Sequence, residues 1–258
     1  MDSYLLATLT MVLFRVIRDV LLMSASSSAF VSNNWAGGAH SDNGRITKAS
    51  ADLVVPECKV GTPAYKTVDY SLSGWVGIDG LTCNNVVLQA GFSCYATEME
   101  NGTTTATYSA WTEWFPSPQQ QLPDFAIHAG DTINIQIVAD SKISGYTLLH
   151  NRRTGQKTHT PYTNQTTPLC LDNAEWVIES HLTFAKFGLD GQRTAGYSPF
   201  KFEHASWTTK GGQKHLAQKA DMFNMVQNGT EVAEANYKKA GSFVVNDVTP
   251  ADFASTDY

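Results

Sequence analysis

The sequence has 258 residues, with 18 Lys and Arg against 24 Asp and Glu and a formal net charge of −6 at pH 7. Because 42% of the residues are hydrophobic and only 16% are charged, the composition argues against a long disordered chain. An acidic chain without a run of Lys and Arg also lacks the basic footprint of a nucleic-acid-binding protein.

Residues 1–29 are expected to be a leader that precedes the folded domain. The apolar run from Tyr4 to Phe14 is shorter than the roughly 20 residues that cross a bilayer, so we expect no membrane segment. The small residues from Ser24 to Ala29 suit a signal-peptide cleavage site. Arg15 and Arg18 follow the apolar run instead of preceding it, so a propeptide remnant or a misassigned start is an alternative to a signal peptide.

Residues 30–258 are predicted to form one β domain. Between Asp131 and Ala139, Ile133, Ile135 and Ile137 alternate with polar residues, which predicts a half-buried strand. Asn-Gly and Asp-Gly pairs punctuate the chain as turns, and short strands between such turns favour a sandwich or a barrel. One segment differs, because Leu216, Ala220 and Phe223 are spaced as on one face of a short helix.

The cysteines and glycosylation sequons favour a secreted protein. The four cysteines lack C-x-x-C spacing, which gives no support to a zinc or thioredoxin-like site, and their even number allows two disulfides in three possible pairings. Asn101, Asn164 and Asn228 each begin an N-x-Thr sequon and are candidate glycosylation sites.

The chemistry of this chain is predicted to depend on carboxyl and amide side chains. The sequence has no G-x-S-x-G elbow and no H-E-x-x-H motif, so a serine hydrolase and a zinc peptidase are not supported. Strand alternation places Glu175, Val177 and Glu179 on one face of a strand, and it places Gln89 with Val87 and Gly91 on another. It also puts Glu113 on the side of Trp111. By pattern alone, a solvated face is the favoured position for these glutamates.

Six motifs in order resemble the glutamic peptidases (eqolisins), acid endopeptidases secreted mainly by fungi. The similarity runs from about Val31 to Val248. The motifs are Asn34-Trp-Ala-Gly-Gly38, Trp75-Val-Gly-Ile-Asp-Gly80, Leu88-Gln-Ala-Gly91, Trp111-Thr-Glu-Trp-Phe-Pro116, Thr154-Gly-Gln156 and Asn173-Ala-Glu-Trp-Val-Ile-Glu179.

The resemblance implies an all-β fold, a β-sandwich of two bent antiparallel sheets of the concanavalin-like jelly-roll kind, with the active cleft on the concave face. It implies a catalytic dyad on neighbouring strands, Gln89 and Glu179, and polypeptide substrates without a cofactor or a metal ion. Glu179 would activate a water as general base and return a proton to the leaving amine, while Gln89 would stabilise the oxyanion. The protein would be a secreted, pepstatin-insensitive monomer.

The resemblance also implies secondary roles. Asp79 and Glu113 would tune Glu179 by hydrogen bonding, although a residue before Gly80 can equally be a turn residue. The tryptophans Trp35, Trp75 and Trp111 would contact substrate, whereas core packing is the alternative for each; Trp114 and Phe115 are assigned to the core. The pairs Cys83–Cys170 and Cys58–Cys94 would form disulfides. Acidic residues that the family often carries are replaced here by Ser93 and Leu182, which predicts a higher or broader pH optimum.

Two other functions remain open from the sequence. A non-catalytic β-sandwich would bind peptide or carbohydrate on its Trp-lined concave face without turnover. A glycosidase would use Glu175 and Glu179 as paired carboxyl groups across a sugar site.

Overall fold

The computed structural model describes residues 31–61, 69–180, 193–218, 220–251 and 253. The predicted leader, residues 1–29, and Leu182 lie outside the described residues. The described part of the chain is all-β, which confirms the predicted fold class, and no helix within it is long and apolar enough to cross a membrane.

The described part of the chain contains nineteen strands. They are β1 (Val31–Ser32), β2 (Trp35–Ser41), β3 (Ile46–Val54), β4 (Cys58–Lys59), β5 (Asp69–Ile78), β6 (Val87–Glu98), β7 (Thr104–Phe115), β8 (Gln120–Gln121), β9 (Thr132–Ser141), β10 (Ser144–Asn151), β11 (Lys157–Tyr162), β12 (Asn173–Glu179), β13 (Arg193–Thr194), β14 (Gly196–Tyr197), β15 (Phe200–Thr209), β16 (Lys214–Leu216), β17 (Asp221–Gln227), β18 (Thr230–Lys239) and β19 (Ser242–Asp247).

Two antiparallel layers account for most of these strands. The first, here called the cleft sheet, has the order β17-β2-β12-β5-β6-β7-β8. The second, here called the backing sheet, has the order β18-β19-β15-β3-β9-β10-β11. Strand β17 joins them, because its first half pairs with β2 and its second half pairs with β18.

The main core lies between the two sheets. Ile133, Ile135 and Ile137 of β9 are fully buried there, which confirms the strand predicted from their alternation. From the cleft sheet, Trp176 packs into this core, and its indole N–H donates to the carbonyl oxygen of Ser50 on β3 at 3.0 Å. The sandwich is therefore held by apolar burial, and the polar end of Trp176 is satisfied across the two sheets.

A second, smaller cluster covers the opposite face of the cleft sheet. Trp75, Trp111, Val177 and Phe223 are buried in this cluster, and Trp35 packs at its edge. Val177 lies on the opposite side of β12 from Trp176, as strand alternation predicts. This outer apolar layer is what allows polar side chains on the same face to be partly removed from water.

The helix predicted around Leu216, Ala220 and Phe223 is wrong. Leu216 ends β16, where it pairs with Ser206, and Phe223 lies in β17, where it pairs with Gly37. A three-residue coincidence with helical spacing is outweighed here by strand pairing, which satisfies the backbone hydrogen bonds of both segments.

Both implied disulfides are present, Cys58–Cys94 and Cys83–Cys170. The three sequon asparagines, Asn101, Asn164 and Asn228, are exposed and lie outside the strands. Their side chains are therefore accessible, and glycosylation stays a prediction.

Candidate active site

Two rows of paired residues bring the predicted polar groups to one face of the cleft sheet. In the first row, Glu175 of β12 pairs with Gly77 of β5, Gly77 pairs with Gln89 of β6, and Gln89 pairs with Glu113 of β7. Residues that pair across antiparallel strands place their side chains on the same face. The register alone therefore puts two glutamates and the glutamine side by side above the outer apolar layer.

A second row, four residues further along β5, carries Glu179. Glu179 pairs with Trp35 of β2 on one side and with Ser73 of β5 on the other, and Ser73 pairs with Ser93 of β6. Four residues of offset leave the side chains of this row on the same face as those of the first row.

The side chain of Trp75 fills the space between the two rows. Its neighbours across the strands are Val177 and Gly91. A Cβ atom at Gly91 would lie 2.7 Å from the Cβ of Trp75 and 2.3 Å from the carbonyl oxygen of Gly74, so only glycine fits at this position. Trp75 is completely buried, and it lies beneath the cleft between the strands of Gln89 and Glu179.

Glu179 accepts a hydrogen bond from Trp75. The Trp75 indole N–H donates to Glu179 Oε2 at 3.0 Å. Burial raises the pKa of Glu179, while the indole N–H groups of Trp35 and Trp75 favour the carboxylate and act in the opposite direction. The net effect is a raised pKa, so this partly buried carboxyl group keeps its proton to a higher pH than an exposed Glu does.

Gln89 is held by Glu113. Gln89 Nε2 donates to Glu113 Oε2 at 2.6 Å, which uses one of the two amide N–H groups. Gln89 is 8% exposed, and its Oε1 is buried without a hydrogen-bond partner among the described residues. Burial raises the pKa of Glu113, the bond from Gln89 lowers it, and the nearby Glu179 carboxyl raises it.

An open cleft of about 480 Å³ lies above these groups. Gln89, Glu113 and Glu179 all line it, and none of the described lining residues is Lys, Arg or His. Within the described part of the chain, no cluster of three His, Cys, Asp or Glu side chains is arranged to hold a metal ion. The arrangement offers carboxyl and amide groups that can orient a water molecule and stabilise a developing negative charge.

Residues 33–247 match the family model described as the Peptidase A4 family. The chain is also 31% identical over 241 residues to aspergillopepsin-2 of Aspergillus niger, covering 85% of this chain and 79% of that protein. It is 32% identical over 215 residues to scytalidopepsin B of Scytalidium lignicola, covering 82% of this chain and 76% of that protein.

The chain belongs to the Peptidase A4 (eqolisin) family. It is therefore a glutamic-type endopeptidase, as the resemblance implied.

Solved structures of similar peptidases share the fold. Scytalido-glutamic peptidase with a transition-state analogue inhibitor superposes with a TM-score of 0.70 and 29% sequence identity, covering 84% of this chain and 98% of that one. Aspergilloglutamic peptidase from Aspergillus niger gives a TM-score of 0.59 and 32% identity, covering 69% and 99%.

The two predicted dyad residues of this A4-family peptidase do not lie on neighbouring strands. Strand β5 separates β6, which carries Gln89, from β12, which carries Glu179. In a flat sheet this places their Cα atoms about 10 Å apart across the strands and about 13 Å apart along them. The expectation of adjacent strands is wrong because β5 intervenes with Trp75, so both long side chains must extend over the indole to meet.

Asp79 does not contact Glu179. Its carboxylate is buried and accepts four backbone N–H groups, those of residues 170, 171, 172 and 173, at 2.8–3.3 Å. Its backbone φ of 67° is that of a turn residue, the alternative which the sequence left open. Burial raises the pKa of Asp79, and these four backbone bonds lower it. Asp79 therefore anchors the segment before β12 to the end of β5.

The three predicted substrate tryptophans occupy different environments. Trp35 is partly exposed and lines the cleft, and its ring meets that of Trp75 edge-on at a centroid distance of 5.2 Å. Trp111 is 1% exposed, lines the cleft, and donates its N–H to Ser93 Oγ at 2.9 Å. Trp75 is fully buried and does not line the cleft, so its placement suits support of Glu179 better than contact with substrate.

The core assignment is confirmed for Trp114 and wrong for Phe115. Trp114 is buried between the sheets, whereas Phe115 is 41% exposed and lines the cleft. Strand alternation contained the signal, since Phe115 is two residues after Glu113 and four after Trp111. The same alternation from Gln89 would have found Ser93 and Tyr95, which also line the cleft.

Proposed function

We propose that the protein is a secreted acid endopeptidase in which Glu179 and Gln89 form the catalytic dyad. The observation that carries this proposal is that both side chains line the same cleft, from the two sides of the buried Trp75. Family membership supports hydrolysis of peptide bonds, and the geometry supports the assignment of these two residues.

Glu179 is suited to hold and activate the attacking water. Its carboxyl group is fixed by the Trp75 N–H, so one oxygen is directed and the other is available for a water molecule. As general base it takes a proton from the water when the water attacks the peptide carbonyl carbon, and as general acid it returns that proton to the departing amine nitrogen.

Gln89 is suited to stabilise the oxyanion. Because Glu113 accepts one N–H of Nε2, the amide nitrogen is fixed and its second N–H remains for the developing negative charge. A preorganised donor of this kind typically contributes about 3–4 kcal/mol of transition-state stabilisation.

An acid pH optimum follows from the charges around the cleft. Burial raises the pKa of both Glu113 and Glu179, and the described lining residues include no basic side chain to offset two carboxylates. Ionisation of both groups at neutral pH would place two like charges near one another. We therefore expect activity to be greatest in acid, where fewer carboxylates lie near one another.

Secretion and polypeptide substrates complete the proposal. Two disulfides are compatible with an oxidising, extracellular compartment. A related peptidase of the eqolisin family has been solved in complex with the tripeptide Ala-Ile-His, which supports an extended peptide as the ligand of this cleft. We expect the enzyme to act as a monomer and to resist pepstatin.

The dyad is tested with the variants Glu179→Gln and Gln89→Ala assayed on an acid-denatured protein substrate. We expect kcat to fall at least about 100-fold in each variant, with the melting temperature retained. Glu231→Gln, which removes a carboxylate at an exposed position of β18, is the matched control and should keep wild-type kcat. Full activity in either dyad variant would refute the assignment.

A further inference from the structure

Glu175 is a buried carboxyl group that the proposed reaction does not use. It lies four residues before Glu179 on the same face of β12, and it is only 1% exposed. Its Oε1 accepts the backbone N–H of Leu81 at 2.7 Å, while its Oε2 is buried without a hydrogen-bond partner in the described part of the chain. A polar atom left in this state normally signals a constraint other than packing.

The unpartnered oxygen faces the edge of the cleft. A Cβ atom built on Gly80 would lie 3.0 Å from Glu175 Oε2 and 3.4 Å from the Trp35 ring. Gly80 and Trp35 both line the cleft. The carboxyl group of Glu175 therefore lies directly behind the cleft wall, and through Leu81 it fixes the segment that forms this wall.

The groups around Glu175 decide which form of the carboxyl is stable. Those that act on it are Asp79, from the segment after β5, and Glu179, from its own strand. Its neighbour on β5 is Gly77 and its neighbour on β2 is Ala39, and neither can carry charge. Asp221 of β17 lies in the same row beyond Ala39, but it is exposed. Every charge facing Glu175 among the described residues is thus negative.

Asp79 and Glu175 differ in how many donors they receive. Asp79 accepts four backbone N–H groups, whereas Glu175 accepts one. When neighbouring carboxyl groups share one site, the group with more donors keeps the negative charge and the other keeps the proton. Burial first, and then the charges of Asp79 and Glu179, raise the pKa of Glu175 well above the usual value, against the effect of the Leu81 N–H.

We propose that Glu175 is a positioning residue, which in its uncharged form holds the Gly80–Leu81 edge of the cleft, and that its ionisation sets the upper pH limit of activity. This inference rests on the proposed function. When Glu175 loses its proton to solvent, a third carboxylate appears beside Asp79 and Glu179 at a buried position. The wall at Gly80 must then move to let water reach the new charge.

The test compares Glu175→Gln with the wild type and with Glu100→Gln, which removes a carboxylate from an exposed turn. Glutamine keeps the acceptor for Leu81 and cannot ionise. At acid pH we expect kcat/KM within about threefold of the wild type, and we expect the upper limb of its pH profile to move up by about one unit. Glu100→Gln should leave the limb unchanged. An unmoved limb in Glu175→Gln, or a loss of kcat of about 100-fold, overturns the proposal.

A second variant and a second readout separate this inference from the dyad. Glu175→Ala removes the acceptor for Leu81, so KM should rise more than kcat falls; an unchanged KM overturns the positioning role.

The melting temperature of Glu175→Gln should fall less than that of the wild type between acid and neutral pH, and this readout needs no activity. If the melting temperatures of the wild type and of Glu175→Gln fall equally, Glu175 does not ionise in this range and the inference is overturned, whatever the activity of Glu179→Gln. If Glu179→Gln is active, the dyad is refuted, but the result for Glu175 is not affected.

Discussion

The Trp75 indole N–H donates to Glu179 Oε2 at 3.0 Å, and Trp75 itself is completely buried. A carboxyl group that receives a donor from a rigid, packed ring is fixed in direction, and the hydrogen bond favours its charged form. Trp75 lies on β5, between the strands of Gln89 and Glu179, so one side chain both separates the two polar groups and orients one of them.

Trp75→Phe is expected to reduce kcat/KM by about 10- to 100-fold, because a hydrogen bond to a charged group contributes about 1.5–3 kcal/mol. Loss of the donor should also raise the pKa of Glu179, and the acid limb of the pH–rate profile should move upward with it. The profile of kcat/KM against pH measures both effects.

The control for this variant is Trp114→Phe. Trp114 is equally buried, but its N–H donates to the carbonyl oxygen of Thr167, in the core between the sheets. Both variants should lower the melting temperature by similar amounts. If both also lower kcat/KM alike, the effect of Trp75 is one of packing and not of the hydrogen bond.

Glu113 is expected to act through Gln89 and not as a charge. Glu113→Gln keeps an acceptor for Gln89 Nε2 and should retain kcat within about tenfold of the wild type at the acid optimum. Glu113→Leu removes the acceptor, so the Gln89 amide loses its orientation and kcat should fall further, by about 10- to 100-fold. Steady-state kinetics at one pH distinguish the two, and equal losses would contradict an orienting role.

The free energy of unfolding is expected to fall as the pH rises above about 4.3, the unfolded-state pKa of Glu. The pKa values of Asp79, Glu113, Glu175 and Glu179 are all raised in the folded protein, mainly by burial. Between the unfolded and folded values the native state binds more protons, so stability is greatest below this window and is lost through it. Urea unfolding from pH 4 to 7 measures this slope, and stability that increases with pH would contradict it.

Asp131 has the opposite effect on the free energy of unfolding, which it causes to decrease as the pH falls. Burial alone would raise its pKa, but bonds from Arg153 and Asn151 lower it. The stability that ionised Asp131 contributes is fully present above the unfolded-state pKa of Asp, about 3.9. It is lost as the pH falls through the lower pKa of the folded state. Asp131→Asn should therefore lower stability at pH 5 and converge on the wild type in stronger acid, with kcat per folded molecule unchanged.

The two disulfides are expected to differ in their effect on the cleft. Removal of either pair by double substitution to Ser should cost about 2–5 kcal/mol of stability. Cys83–Cys170 also joins the segment after Asp79, which forms the cleft wall, to the segment that Asp79 binds. Its loss should raise KM, whereas loss of Cys58–Cys94 should change KM less. Equal KM values in the two variants would contradict this assignment.

The buried tryptophans also bear on the alternative functions that the sequence left open. Trp75 and Trp111 are 0% and 1% exposed, so they offer no broad ring face on which a sugar could stack. Glu175 is equally buried and does not line the cleft, so it cannot serve with Glu179 as a pair of carboxyl groups across a sugar ring.

Strand alternation predicted which side chains share a face of one strand, because it is a property of the extended backbone itself. Ile133, Ile135 and Ile137 share the core as their alternation indicated, whereas Gln89, Glu113 and Glu179 lie on three strands and were assigned to one cleft by the family resemblance and not by spacing. Phe115 was assigned to the core, but it follows Glu113 by two residues on β7 and is exposed at the cleft, as alternation along that strand predicts.

The amino-acid sequence by itself determined the family and the all-β class, because motifs and two-residue periodicity are local. The disulfide pairs followed from the family resemblance, since the cysteine spacing alone allowed three pairings. Tertiary structure alone decided that β5 separates the two dyad strands, that Asp79 binds backbone N–H groups and not Glu179, and that Glu175 is enclosed behind Gly80. These depend on which distant segments pair and on how completely they exclude water, and no spacing along one strand encodes either.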